Sequence, residues 1–236
     1  MAYSFLQTPY FEIGLKCYLY GEEALKLALR ADALAAELGI GIIFTPQTVD
    51  IAAIAKATRH IKIFAQHMDA LRPGRGMGST LPEALKAVGA HGTFLNHAEK
   101  KLSLPEIVAA IGRAREVGLL SLVCVDNIEQ ALCVAEFRPD LLLLESEAQI
   151  GRSDTSADIG HIRRAKELLS GIDPAISVMF SSGIHTEADV AAVIRAGAEG
   201  TGCTSAIMCA DDPAAKMDTM LRTLRRTWDE VHSKLK

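Results

Sequence analysis

Short apolar runs alternate with longer amphipathic stretches from one end of the chain to the other, and this alternation restricts the fold more than any other feature. Runs rich in Ile, Val, Leu and Phe near residues 10–15, 40–45, 61–66, 92–96, 119–125, 140–145, 176–181 and 199–204 have the length of buried strands. Between them, stretches such as Gly21 to Leu38, Pro105 to Val117, Asp158 to Leu169 and Pro213 to Lys236 repeat apolar residues at intervals of three and four, the period of a helix with one buried face. No hairpin signal joins the strands. Successive strands therefore run parallel through right-handed crossovers, with both faces of the sheet covered. Eight such units in 236 residues predict α/β architecture closed into a (β/α)8 barrel, one domain over 1–236. The alternative is an open doubly wound sheet, which would carry a G-x-G-x-x-G turn after its first strand; Gly14-Leu15-Lys16-Cys17 is no such turn.

Composition narrows the function classes. A hydrophobic content of 49% supplies one large core, and a net charge of −4 without any Lys or Arg run disfavours nucleic acid as a partner. The five cysteines, Cys17, Cys124, Cys133, Cys203 and Cys209, show no C-x-x-C spacing, so no metal site is expected and they read as small buried hydrophobes in a reducing compartment. Residues 1–10 lack a signal or transit pattern, and no apolar run approaches the roughly 20 residues needed to span a bilayer. A cytoplasmic protein with no membrane partner is expected. Gly74-Arg75-Gly76-Met77-Gly78-Ser79-Thr80 lacks the Lys of a phosphate-cradling P-loop and reads as a surface or subunit-contact loop.

In a barrel of this kind the reactive groups sit where strands end, on the C-terminal face. Lys16 ends the first strand, Asn96-His97 follows the fourth and Glu145 closes the sixth; turns at Ile150-Gly151, Ser181-Ser182-Gly183 and Thr204-Ser205-Ala206 follow the last three. Singly, each has a bland explanation as a solvated cap, a structural histidine or a turn glycine. Together they form a consistent set. A desolvated Glu145 can remove a proton next to a carbonyl. His97 can donate to the resulting oxyanion while Lys16 supplies positive charge. Backbone N–H groups of Gly151, Gly183, Ser205 and Ala206 can hold a phosphate. The expected reaction is a 1,2-proton shift on a small phosphorylated sugar, with no cofactor.

Three ordered strings, Phe64-Ala65-Gln66-His67, Leu81-Pro82-Glu83-Ala84 and Asn96-His97-Ala98-Glu99, resemble the FAQH, LPEA and NHSE strings of the triosephosphate isomerase family, in its short archaeal form. The resemblance covers nearly the whole chain. It implies a TIM barrel, aldose–ketose isomerase activity on dihydroxyacetone phosphate and glyceraldehyde 3-phosphate through an enediolate, and a homodimer or homotetramer. Carried across, Lys16 matches the family's active-site lysine, His97 its electrophile, Glu145 its base, and Glu99 resembles a second carboxylate behind the histidine. His67 ranks below His97, as a structural or subunit-contact residue.

This chain departs from the family pattern at several points. Gly14 stands where the family has Asn, Ala98 where it has Ser, and Glu145-Ser146-Glu147-Ala148-Gln149-Ile150-Gly151-Arg152-Ser153 replaces E-P-x-x-x-I-G-T-G. The departures leave open an isomerase or epimerase of a tetrose or pentose phosphate, an aldolase using Lys16 as a Schiff base, and a non-catalytic barrel that binds a phosphometabolite.

Overall fold

The computed structural model describes residues 6–145, 159–181 and 183–233. Among the described residues the strands are β1 (Tyr10–Gly14), β2 (Gly41–Thr45), β3 (Lys62–Ala65), β4 (Gly92–Leu95), β5 (Leu120–Val125), β6 (Leu141–Leu144), β7 (Ser177–Phe180) and β8 (Gly200–Cys203). Every adjacent pair is parallel, and β8 pairs back onto β1 through Tyr10↔Gly200 and Ile13↔Cys203, so the sheet closes in sequence order. Each strand falls within the run expected of it.

Helices fill the crossovers: α1 (Gly21–Leu38), α2 (Ile51–Ala57), α3 (Pro82–Ala87), α4 (Leu104–Val117), α5 (Ile128–Ala135), α6 (Ile159–Ser170), α7 (Glu187–Arg195), α8 (Ser205–Met208) and α9 (Pro213–Ser233). Their ends follow from local chemistry. Ser103 and Glu106 form a capping box at α4, the Glu106 carboxylate accepting from the Ser103 N–H at 2.7 Å. Gly118 ends the same helix at φ 72°, a left-handed cap that costs glycine nothing. No described helix is long and apolar enough to cross a membrane.

Strand alternation divides the core in two. Tyr10, Ile43, Phe64, Phe94, Leu122, Leu141, Leu143 and Met179 point into the barrel and fill it, while the intervening residues, Phe11, Ile13, Ile42, Phe44, Ile63 and Val123 among them, pack outward against the helices. Inward bulk on β1 is matched by missing side chains on β8. A Cβ at Gly202 would stand 2.7 Å from the Cβ of Glu12, so only glycine lets the two strands carry Glu12 between them.

One expectation is corrected. Cys124 and Cys203 are buried, but Cys17, Cys133 and Cys209 are exposed. Cys17 lies in the turn after β1 and Cys133 on the outer face of α5, where the periodicity of the elements, not the residue type, decides burial.

Candidate active site

A cavity of about 500 Å³ opens at the C-terminal ends of the strands. It brings together Lys16, His97, Glu99, Glu145, Gly183 and Ser205, drawn from β1, β4, β6, β7 and β8. Ala206 is not part of its lining: its methyl packs against the core, and its backbone N–H belongs to the first turn of α8, where such groups have no intrahelical acceptor. Gly151 and Arg152 lie outside the described residues.

Lys16 stands in the left-handed region at φ 44°, unusual for a residue with a Cβ. Two amides hold it there: its carbonyl accepts from Gln47 Nε2 at 2.5 Å and Gln66 Nε2 at 2.8 Å. The chain thus turns sharply off β1 and projects the ammonium across the cavity mouth, where Nζ meets Glu99 Oε1 at 2.8 Å. Glu99 therefore contacts the lysine with its carboxylate. Its link to the histidine runs through its backbone, the Glu99 N–H donating to His97 Nδ1 at 3.1 Å.

That bond fixes the histidine. With Nδ1 accepting, a neutral imidazole carries its proton on Nε2. Burial and the nearby Lys16 charge both hold the His97 pKa below the ordinary histidine value, so the neutral form prevails. Asn96 sets the ring's position. It also adopts a left-handed conformation, φ 58°, and its buried amide spans the turn: Nδ2 donates to the Cys124 carbonyl at 2.9 Å and Oδ1 accepts from the Leu102 N–H at 2.9 Å.

Glu145 follows β6, its N–H bonded to the Val125 carbonyl at 3.0 Å. Oε1 accepts from Ser181 Oγ at 3.2 Å and Oε2 stands 3.8 Å from His97 Nε2. Burial raises its pKa, against the lowering effect of Lys16. A carboxyl base and a neutral N–H donor thus share one cavity, with a lysine at its edge.

The structure adds residues to the site that the sequence pattern does not single out. Ser181, a turn residue by its sequence context, holds Glu145 through its hydroxyl. Gln66 sits inside the FAQH string and supports Lys16. Glu12, Thr45 and Thr204 line the cavity. The one sequence signal for Glu12 was a carboxylate in the middle of an apolar strand. His67 also lines the cavity and bonds Asp69 at 3.3 Å, while Asp69 in turn clasps Thr80 through Oδ2 at 2.7 Å and closes the loop of residues 69–80.

A family model described as triosephosphate isomerase matches residues 10–136, more than half of the chain. The triosephosphate isomerase of Methanobacterium bryantii is 38% identical over 213 residues, covering 88% of this chain and 93% of that protein. Those of Methanothermobacter thermautotrophicus and Methanosarcina barkeri are 34% and 31% identical, over 87% and 92% of this chain and 91% and 99% of theirs. Sequence similarity over nearly the full length, on a closed eight-stranded parallel barrel, makes this chain a member of the triosephosphate isomerase family.

Proposed function

We propose that this protein interconverts dihydroxyacetone phosphate and glyceraldehyde 3-phosphate through an enediolate. The observation that carries the reading is the pairing of Glu145 with His97 at 3.8 Å inside the cavity that Lys16 also lines. Glu145 takes the proton from the carbon beside the carbonyl and returns it to the former carbonyl carbon. Its raised pKa makes it a stronger base than an ordinary glutamate, and the Ser181 hydroxyl keeps it oriented. His97 donates a hydrogen bond from Nε2 to the oxygens that gain charge and passes its proton to the former carbonyl oxygen while recovering the one that leaves the neighbouring hydroxyl; a neutral histidine in this role is an established trait of triosephosphate isomerases. Lys16 adds positive charge without needing to transfer a proton.

The phosphate lies against the backbone N–H groups of Gly183, Ser205 and Ala206, the last two at the start of α8. Gly151, outside the described residues, is proposed as a further donor to the phosphate. Incubating the purified protein with dihydroxyacetone phosphate and following aldose formation tests the reading, with solvent deuterium entering the carbon next to the carbonyl as its signature. A rate equal to buffer, with no isotope uptake, overturns it.

The protein acts as a homo-oligomer in this reading. Tyr18, Val49 and Met77 are exposed apolar side chains in the segments that follow β1, β2 and β3, three adjacent strands, and exposed apolar side chains on neighbouring crossovers suit a subunit contact. Light scattering after size-exclusion chromatography checks it, and a monomer at all concentrations contradicts it.

A further inference from the structure

One buried acid in the cavity has no part in the proton transfer just described. Glu12 is 6% exposed, projects inward from β1 and lines the cavity. Oε1 accepts from Thr45 Oγ1 at 2.8 Å. Oε2 has no hydrogen-bond partner among the described residues. Above it the strand carries Gly14, where a Cβ would stand 3.1 Å from Glu12 Oε1 and would collide with Thr204 Oγ1. Any side chain at position 14 would come between ligand and acid. Glycine leaves the carboxyl and the Thr204 hydroxyl, which has no partner among the described residues, open to the cavity at this point of its wall. Glu12 Oε2 is unbonded yet not sealed off from the cavity, so a ligand or water can complete it.

We propose that Glu12 is a specificity-determining residue: its cavity-facing carboxyl oxygen hydrogen-bonds a hydroxyl group of the substrate, with Thr204 beside it, so that the site selects polyhydroxylated phosphate esters over those with an apolar end. This rests on the sugar-phosphate reading above. The chemistry suits it. Desolvation pushes the Glu12 carboxyl up to about 8, aided by the charge of Glu145 on β6 and opposed by Lys16 and by the Thr45 hydrogen bond. The remaining titratable groups that it influences are the thiols of Cys124 on β5 and Cys203 on β8, both pushed well up by burial and therefore neutral. With Oε1 taken by the Thr45 hydroxyl, the acid proton belongs on Oε2. Glu12 then offers the cavity a donor at neutral pH, without a second negative charge beside Glu145.

The test separates this from turnover. Glycerol 3-phosphate carries hydroxyls but no carbonyl, and ethyl phosphate carries neither; calorimetry at pH 7 gives the ratio of their Kd values. The wild-type protein is expected to prefer glycerol 3-phosphate by at least about tenfold, because a site built to bond a hydroxyl rejects the analogue lacking it. Glu12→Gln, which keeps a donor, retains the preference. Glu12→Leu and Glu12→Met, the second of similar volume should the first fold poorly, lose it while binding ethyl phosphate as before. A preference that survives in either apolar variant overturns the proposal. So does a wild-type protein that binds both compounds equally or neither. If the preference behaves as expected while dihydroxyacetone phosphate is not turned over, the isomerase reading fails and the role of Glu12 stands.

Discussion

His97 Nε2 and Glu145 Oε2 face each other at 3.8 Å, across a gap too long for a hydrogen bond and inside a cavity that raises the basicity of one and suppresses the charge of the other. Burial is the first cause of both shifts, and it works in opposite directions on an acid and a base. The pair thus combines a carboxyl group of raised proton affinity with an imidazole whose charged form is disfavoured. Activity is therefore expected to fall on the acid side, as Glu145 gains a proton, with a midpoint above the ordinary carboxylate value of 4.5. A kcat/KM profile with dihydroxyacetone phosphate checks this, and Glu145→Gln should remove turnover at every pH.

Lys16 directs a positive charge at that pair from the strand end of β1. Lys16→Met is expected to lower kcat by about 100-fold or more, the cost of removing one preorganised stabiliser of developing negative charge. Steady-state kinetics on the two variants Lys16→Met and Glu99→Gln separate the lysine's own role from that of its partner: the second leaves the charge in place and should cost far less.

The left-handed backbone at Lys16 is held from outside the turn. Gln66→Leu removes one of the two amides on the Lys16 carbonyl. We expect a stability loss of about 1 kcal/mol from the hydrogen bond and a fall in kcat of roughly tenfold, because small misplacements of a charged group cost rate steeply. Urea unfolding and kinetics on one preparation measure both; a loss of stability with unchanged kcat would show that Gln66 does not position the lysine.

Asn96 combines a positive φ with two buried hydrogen bonds, so its replacements should separate the two effects. Asn96→Ala loses both and is expected to destabilise the protein by about 2–4 kcal/mol. Asn96→Gly keeps the conformation and should lose less. Thermal or urea unfolding of the pair ranks them, and an Ala variant as stable as the Gly variant would deny the backbone contribution.

Glu12 makes stability depend on pH in a direction opposite to most carboxylates. Its folded pKa of about 8 lies above the unfolded value of 4.5, so folding retains the proton. The stabilisation is fully present below pH 4.5 and is lost as pH rises through about 8, by on the order of 5 kcal/mol in all. Glu12→Gln cannot ionise and should flatten this part of the curve. Urea midpoints between pH 5 and 9 for the two proteins test it.

The barrel was legible because it is written in local terms. A strand buried on both faces reads as an unbroken apolar run, as in Leu141 to Leu144, and a helix covering it reads at intervals of three and four, so eight strands could be located before any contact was known. The caps at Ser103, Gly118 and Thr186 are equally local. The candidate triad of Lys16, His97 and Glu145 was legible by position, since closure in sequence order sends every strand end to one face.

What that closure did to each side chain was decided only by the tertiary structure. The neutral tautomer of His97 depends on the Glu99 amide, the basicity of Glu145 on its burial, and the posture of Lys16 on Gln47 and Gln66 from two other loops. Glu12 shows the limit most plainly. In the sequence it is a lone acid in an apolar strand. Only the crossing of β8, with glycine at 202 beside it and glycine at 14 above it, turns that acid into part of the cavity, because dielectric environment and hydrogen-bond partners belong to residues distant in the chain.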